Sequence, residues 1–240
     1  ARAAMGARPS APSGPLVETL LEAKEAACHR AAELIRQADV FLLCTGAGFS
    51  ADSGLAVYAD VAQVKAYKER NLLYHDLCQP DWLRREPELF WGFWGQCFND
   101  YRDTAPHEGY RMIDQWADRW FRSSKVAQSI RGQLEQARRQ RVAEGGAGVE
   151  TSNLEPYHVS DQAGAFFAFT SNVDAHHFDW FRACEVRECH GNTEVYQCAS
   201  RDCRASGIWR APQGFRFAVD KATMLAPAGA APRAAGASIV

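Results

Sequence analysis

A chain of 240 residues, 47% apolar and 23% charged, can bury the core of one large α/β domain or of a domain with a small satellite, and this composition is ordinary for a soluble globular protein. A formal net charge of -2, with no basic arm and no basic stripe interleaved with aromatics, argues against direct nucleic-acid binding. No apolar run approaches bilayer-spanning length, so the expectation is a soluble protein without a membrane partner.

Residues 1–15 carry Arg2 and Arg8 but no acid and read as a disordered tail or the remnant of a transit peptide. From Leu16 to Gln37, Leu16, Leu20, Leu21, Ala27, Ala31, Leu34 and Ile35 recur at helical spacing, predicting an amphipathic helix that leads into a strand. Val40 to Cys44 is that strand, and it breaks into Thr45-Gly46-Ala47-Gly48. Glycines at a strand end let bare backbone approach a ligand, so Gly46, Ala47 and Gly48 are candidate phosphate contacts, with Ser50 and Ser53 as hydroxyl donors or helix caps. Taken alone, a Gly-x-Gly after an apolar run is as often a tight turn, and Ala51 stands where the usual dinucleotide fingerprint has its third glycine.

Val61 to Asn71 has helical character. Trp82, Phe90, Trp91, Phe93, Trp94, Phe98 and Tyr101 then form an aromatic-rich helical layer, read first as core and alternatively as the lining of an apolar cleft. Thr104 and Pro106 signal a helix start that runs to about Phe121. Residues 122–160 read as a surface insertion, with a polar, Arg-rich helix over Lys125 to Arg141. Ala165 to Thr170 is a second buried strand ending in Ser171-Asn172-Val173-Asp174, and Glu185 to Glu188 a third ending in Cys189-His190-Gly191. Ligands collect at the carboxyl ends of strands in an open parallel sheet, so these clusters are expected to meet in one crevice.

Of the eight cysteines, the four in the first half are scattered without framework spacing, which predicts reduced thiols and an intracellular setting, with the later cluster as candidate metal ligands. Cys198 and Cys203 form a knuckle-like pair and are the candidate metal ligands. A structural zinc site takes four ligands, however, and no cysteine follows Cys203. Phe215 to Val219 reads as a short strand, and residues 226–240, rich in Ala, Pro and Gly, as a disordered tail.

Four stretches together resemble the sirtuins in order and spacing: Gly46 to Leu55, Pro106 to Tyr110, Thr170 to Asp174 and Glu188 to Gly191. The resemblance covers about residues 35–220. It implies a Rossmann-like parallel sheet with helices on both faces, over residues 16–195, and the remnant of a small zinc-binding module over 196–225. It further implies NAD as cofactor, zinc in the parent fold, and an acyl-lysine protein or peptide as substrate. In that family the acyl oxygen attacks C1′ of the nicotinamide ribose, nicotinamide leaves, and a histidine acts as general base on a ribose hydroxyl. By position that histidine is His190. Asn172 and Asp174 correspond to the pair that orders the nicotinamide ribose and binds the carboxamide, roles that suit an amide and a carboxylate.

Three departures accompany the matches. Ser171 stands where the family commonly has glutamine; Tyr58 can cover the nicotinamide pocket, but Ala59 takes the place of an arginine that helps hold NAD. Losing a charge-assisted contact costs about 1.5–3 kcal/mol. The later Gly-Thr-Ser and Asn-containing segments do not occur in these 240 residues, which predicts a fragment or truncated form and a sheet with an uncovered edge. The competing readings are an ADP-ribosyl transferase or NAD glycohydrolase using the same site, and a non-catalytic remnant.

Overall fold

Three short apolar runs become parallel strands. In the computed structural model, which describes residues 15–57, 63–144, 164–198 and 208–232, these are β1 (Phe41–Thr45), β2 (Phe166–Thr170) and β3 (Val186–Glu188), ordered β1-β2-β3. The register pairs Thr45 with Thr170 and Thr170 with Glu188, so the three polar strand ends lie side by side. The chain divides into two compact units, residues 1–39 and 40–240. The first contains α1 (Pro15–Gln37), which has Glu18 in its first turn and Arg36 in its last, the charge order a helix dipole favours.

Strand side chains alternate between faces. One face of β2 carries Phe166, Ala168 and Thr170, all fully buried. Phe166 packs on Phe181 with ring centroids 5.1 Å apart and on Phe41 at 5.6 Å, and Phe41 meets Phe121 at 5.4 Å. The opposite face carries Leu42, Cys44 and Phe169, which are exposed. The helices expected on both faces are therefore represented, within this unit, by one packed face and one open one.

After β1 come α2 (Ala47–Ala51), α3 (Lys65–Glu69), α4 (Tyr74–Leu77), α5 (Trp82–Arg85) and α6 (Pro87–Asp103). Proline opens α6, where its missing N–H costs nothing. Leu89, Phe93 and Cys97 recur along α6 and join Tyr67, Leu77 and Met224 in one core cluster. The aromatic layer is thus mainly core, although Tyr67, Phe93 and Tyr101 also line a cavity of about 310 Å³ together with Leu55 of the glycine loop.

The segment read as a zinc-module remnant is organised by α6. β4 (Val195–Gln197) and β5 (Ile208–Arg210) form an antiparallel pair, after which the chain runs irregularly along the helix. Phe215 to Val219 is not a strand. The Asn99 side chain donates to the Phe217 carbonyl and accepts its N–H, both at 3.0 Å, supplying what a neighbouring strand would have supplied. Gly92 allows the close approach that follows, because a Cβ there would lie 2.1 Å from the Met224 carbonyl oxygen. Residues 226–232, expected in a disordered tail, are ordered: Ala226 is buried and its N–H donates to Glu88 O, while Pro232 O accepts from the Trp209 indole. Residues 233–240 and 1–14 lie outside the described residues.

The helix start between the first two motifs is capped by a residue other than Thr104 or Pro106. His107 precedes α7 (Glu108–Trp116) and its Nδ1 accepts from Gly109 N–H at 3.0 Å. A π-helical turn (Ala117–Phe121) then delivers Arg122, 5% exposed, into contact with Glu185, Asp114 and Asp118. The segment read as a surface insertion therefore begins with a core residue. Its helix, α8 (Lys125–Ala143), follows, and 145–163 lie outside the described residues.

Candidate functional site

The carboxyl ends of β1, β2 and β3 build the site. Each strand stops where its sequence turns polar, and the parallel register sets those stops at one level. At the end of β1, Gly46 leads directly into α2, and Gly54 closes the loop at φ +94°, a backbone conformation that a side chain would strain. A Cβ on Gly46 would sit 3.4 Å from Ser171 Oγ, whereas one on Gly48 would meet nothing within 4 Å. Gly46 thus serves the packing of the β1 and β2 ends, and Gly48 faces open space.

Side chains from two motifs meet at Ser50. Its hydroxyl donates to Asp174 Oδ2 and accepts from Asn172 Nδ2 at 2.8 Å; the same Asn172 amide also donates to Gly46 O at 3.0 Å. Asp174 Oδ1 accepts from His176 N–H at 3.0 Å. Asn172 N–H is bonded to Thr170 Oγ1 at 3.1 Å, and Ser171 N–H to Thr45 O at 3.2 Å. Ser50, Asn172 and Asp174 are each less than a tenth exposed, so these bonds are well sheltered from water. Ser53 accepts from His107 N–H at 2.9 Å and thereby ties the glycine loop to the start of α7.

Behind this group lies a cluster of rings. Phe49 stands 4.5 Å from Tyr110 and 4.6 Å from His107, and Tyr110 stands 5.3 Å from His177. His177 is fully buried with Nε2 2.9 Å from Thr45 Oγ1, and burial holds its pKa down to about 4, so the imidazole is neutral. His176 Nε2 lies 2.9 Å from Tyr101 O; a carbonyl can only accept, so this nitrogen carries the proton. Both histidines are thus buried and hydrogen-bonded within the fold.

His190 stands exposed in the turn after β3, and Cys189 N–H fastens that turn to Thr170 O at 3.0 Å. Asp174 borders a further cavity of about 740 Å³ whose lining includes Arg102, His176, Asp179 and Glu194. Arg102 is committed to structure there, with two bonds of 2.7 Å to the Glu194 carboxylate and others to backbone carbonyls.

No family model matches the chain. Over 69 residues it is 32% identical to the NAD-dependent protein deacylase of Deinococcus radiodurans, a match covering 29% of this chain and 27% of that protein. Over that stretch the chain is similar to an NAD-dependent protein deacylase. Similar solved structures include a Sir2 homologue mutant bound to 2′-O-acetyl ADP-ribose (16% identity, 76% of this chain, 52% of that one, TM-score 0.46). A Sir2 homologue–NAD complex is also similar (17% identity, 76% of this chain, 51% of that one, TM-score 0.43). The chain therefore spans about a quarter of the curated relative and about half of each of those structures.

At the end of β3, Glu188 is a residue that sequence reasoning passed over. Burial is the main cause that raises its pKa to about 7; Asp174 adds to the rise and a hydrogen bond from Asn192 opposes it. The available signal was an acid at a strand end, two residues before the candidate histidine. Tyr58, Ala59 and Cys203 lie outside the described residues, and Cys198 is exposed at the end of β4. Among the described residues, no group of three or more His, Cys, Asp or Glu side chains is placed to hold a metal ion. Also among them, no helix is long and apolar enough to cross a membrane.

Proposed function

We propose that this crevice holds the nicotinamide end of NAD and that the parent protein removes acyl groups from lysine side chains of proteins. The observation that carries the reading is the Ser50–Asn172–Asp174 group, which joins the glycine loop to the second strand end through buried hydrogen bonds. NAD fits the residues present. Gly48 leaves open space where backbone can approach a phosphate, and Asn172 Oδ1 and the Asp174 carboxylate offer acceptors for a carboxamide amino group and ribose hydroxyls, the Asn172 amide hydrogens being taken by Gly46 O and Ser50.

When bound, NAD supplies a C1′–nitrogen bond with nicotinamide as its leaving group. Asn172 and Asp174 orient the reacting end, held in place by Ser50 and by the N–H of His176. His190, exposed in the turn after β3, takes a proton from a ribose hydroxyl as general base. His177 takes no part in proton transfer, since it is buried and neutral. For zinc, no group of three or more His, Cys, Asp or Glu side chains is placed as a ligand set among the described residues. No step is assigned to it.

The test is nicotinamide release from NAD, measured with and without an acyl-lysine peptide. The account predicts release that requires the peptide and falls by about two orders of magnitude in His190→Ala, the usual scale of general-base catalysis. ADP-ribose on protein or in solution without acylated substrate would instead identify a transferase or glycohydrolase. A cooperatively folded chain that releases nothing would identify a non-catalytic remnant.

A further inference from the structure

The turn that carries His190 is anchored at both ends to the segment that carries Asn172 and Asp174. Cys189 N–H donates to Thr170 O at 3.0 Å, and the Thr193 N–H and hydroxyl both donate to Val173 O, at 3.0 and 3.3 Å. Between these anchors the backbone itself is weakly held. Gly191 has φ +70°, and its N–H reaches Glu188 O at 3.4 Å, long for a backbone hydrogen bond.

Side chains hold what the backbone does not. Asn192 Nδ2 donates to Glu188 Oε2 at 2.5 Å, and Asn192 Oδ1 accepts from Glu194 N–H at 3.0 Å. One amide therefore links the last residue of β3 to the backbone beyond the turn, spanning His190 and Gly191. Glu188 Oε1 is buried and has no hydrogen-bond partner among the described residues. Leaving that oxygen buried and unsatisfied carries a desolvation cost.

We propose that Glu188, acting through Asn192, is the positioning residue for His190. The clamp stands on hydrogen-bond geometry; its catalytic consequence rests on the proposed role of His190 as general base. With a pKa of about 7 the carboxyl exists in both forms near neutrality, and Oε2 can accept from Asn192 in either. Glutamine keeps that acceptor, so it should substitute for glutamate where alanine cannot. Asp174 is the charged group that faces Glu188 from the neighbouring strand end, and it favours the neutral form that glutamine imitates.

The experiment compares the wild-type chain with Glu188→Ala, Glu188→Gln and Asn192→Ala by amide hydrogen exchange and by the NMR shifts of the His190 imidazole. In the alanine variants, the amides of Gly191, Asn192 and Thr193 are expected to exchange about tenfold faster and the His190 signals to move, the size of effect one lost hydrogen bond produces. Amides of Phe166 to Thr170 stay within about twofold, and Glu188→Gln restores both readouts. If Glu188→Ala does not fold, Asn192→Ala alone decides the matter, since it removes the same link. Unchanged exchange and shifts in Asn192→Ala, or failure of glutamine to restore them, overturn the proposal. In nicotinamide release, kcat falls about tenfold in Asn192→Ala with the KM for NAD unchanged. Absence of release in the wild type refutes the NAD reading, while exchange and shifts still decide the clamp.

Discussion

Replacing Ser50 with alanine removes the hydroxyl that joins the glycine loop to the second strand end. The loss is two buried hydrogen bonds, one donated to Asp174 and one accepted from Asn172 at 2.8 Å. A neutral hydrogen bond contributes about 0.5–1.5 kcal/mol and one to a charged group about 1.5–3, which gives about 2–4 kcal/mol for Ser50→Ala. For a chain of this size that corresponds to a fall of roughly 4–16 °C in Tm, measurable by circular dichroism. Ser53→Ala is the comparison, since it removes a single bond, from His107 N–H, and is expected to cost about 1 kcal/mol. A Ser50→Ala protein within about 0.5 kcal/mol of wild type would refute the reasoning, because that is the range of substitutions that break no buried contact.

Arg122→Met leaves the fully buried Glu185 carboxylate without its two guanidinium bonds of 2.7 and 2.8 Å. Urea unfolding should show a loss of about 3–5 kcal/mol, and a loss below about 1 would contradict the assignment of Arg122 to the core. Stability should also depend on pH in two opposed ways. His177, held down to about 4, binds fewer protons folded than unfolded, so its contribution is lost as pH falls from about 6.5 towards 4. Glu188, raised to about 7, binds more protons folded than unfolded, so its contribution is lost as pH rises from about 4.5 to 7. At roughly 1.4 kcal/mol per pH unit, each amounts to about 3 kcal/mol, and Glu188→Gln should abolish only the second slope. Denaturant titrations at a series of pH values check both; a slope unchanged in Glu188→Gln would show that another group titrates.

Local chemistry was legible in the sequence wherever one short stretch determined the outcome. The runs ending at Thr45, Thr170 and Glu188 announced strands, and their polar stops announced the level at which Ser50, Asn172 and Asp174 meet. Features set by distant partners were not legible. Phe215 to Val219 has the pattern of a strand, yet Asn99, more than a hundred residues earlier in the chain, takes its backbone bonds. Arg122 looks like the first residue of a solvated segment until Glu185 is placed beside it. His107 was hidden because a histidine is an uncommon helix cap, and Thr104 and Pro106 offered the more familiar signal. Residues 226–232 resemble a tail in composition, and their order comes from contacts with Glu88 and Trp209.

The central claim is that one crevice, built from three strand ends, binds NAD. Calorimetric titration of the chain with NAD tests it most directly, with Asn172→Ala as the paired variant. The account predicts saturable binding to one site per chain that weakens by about tenfold or more in Asn172→Ala, the loss expected when an oriented polar contact is removed. Saturable binding that is indifferent to Asn172, or no binding at millimolar NAD by a cooperatively folded chain, would contradict it.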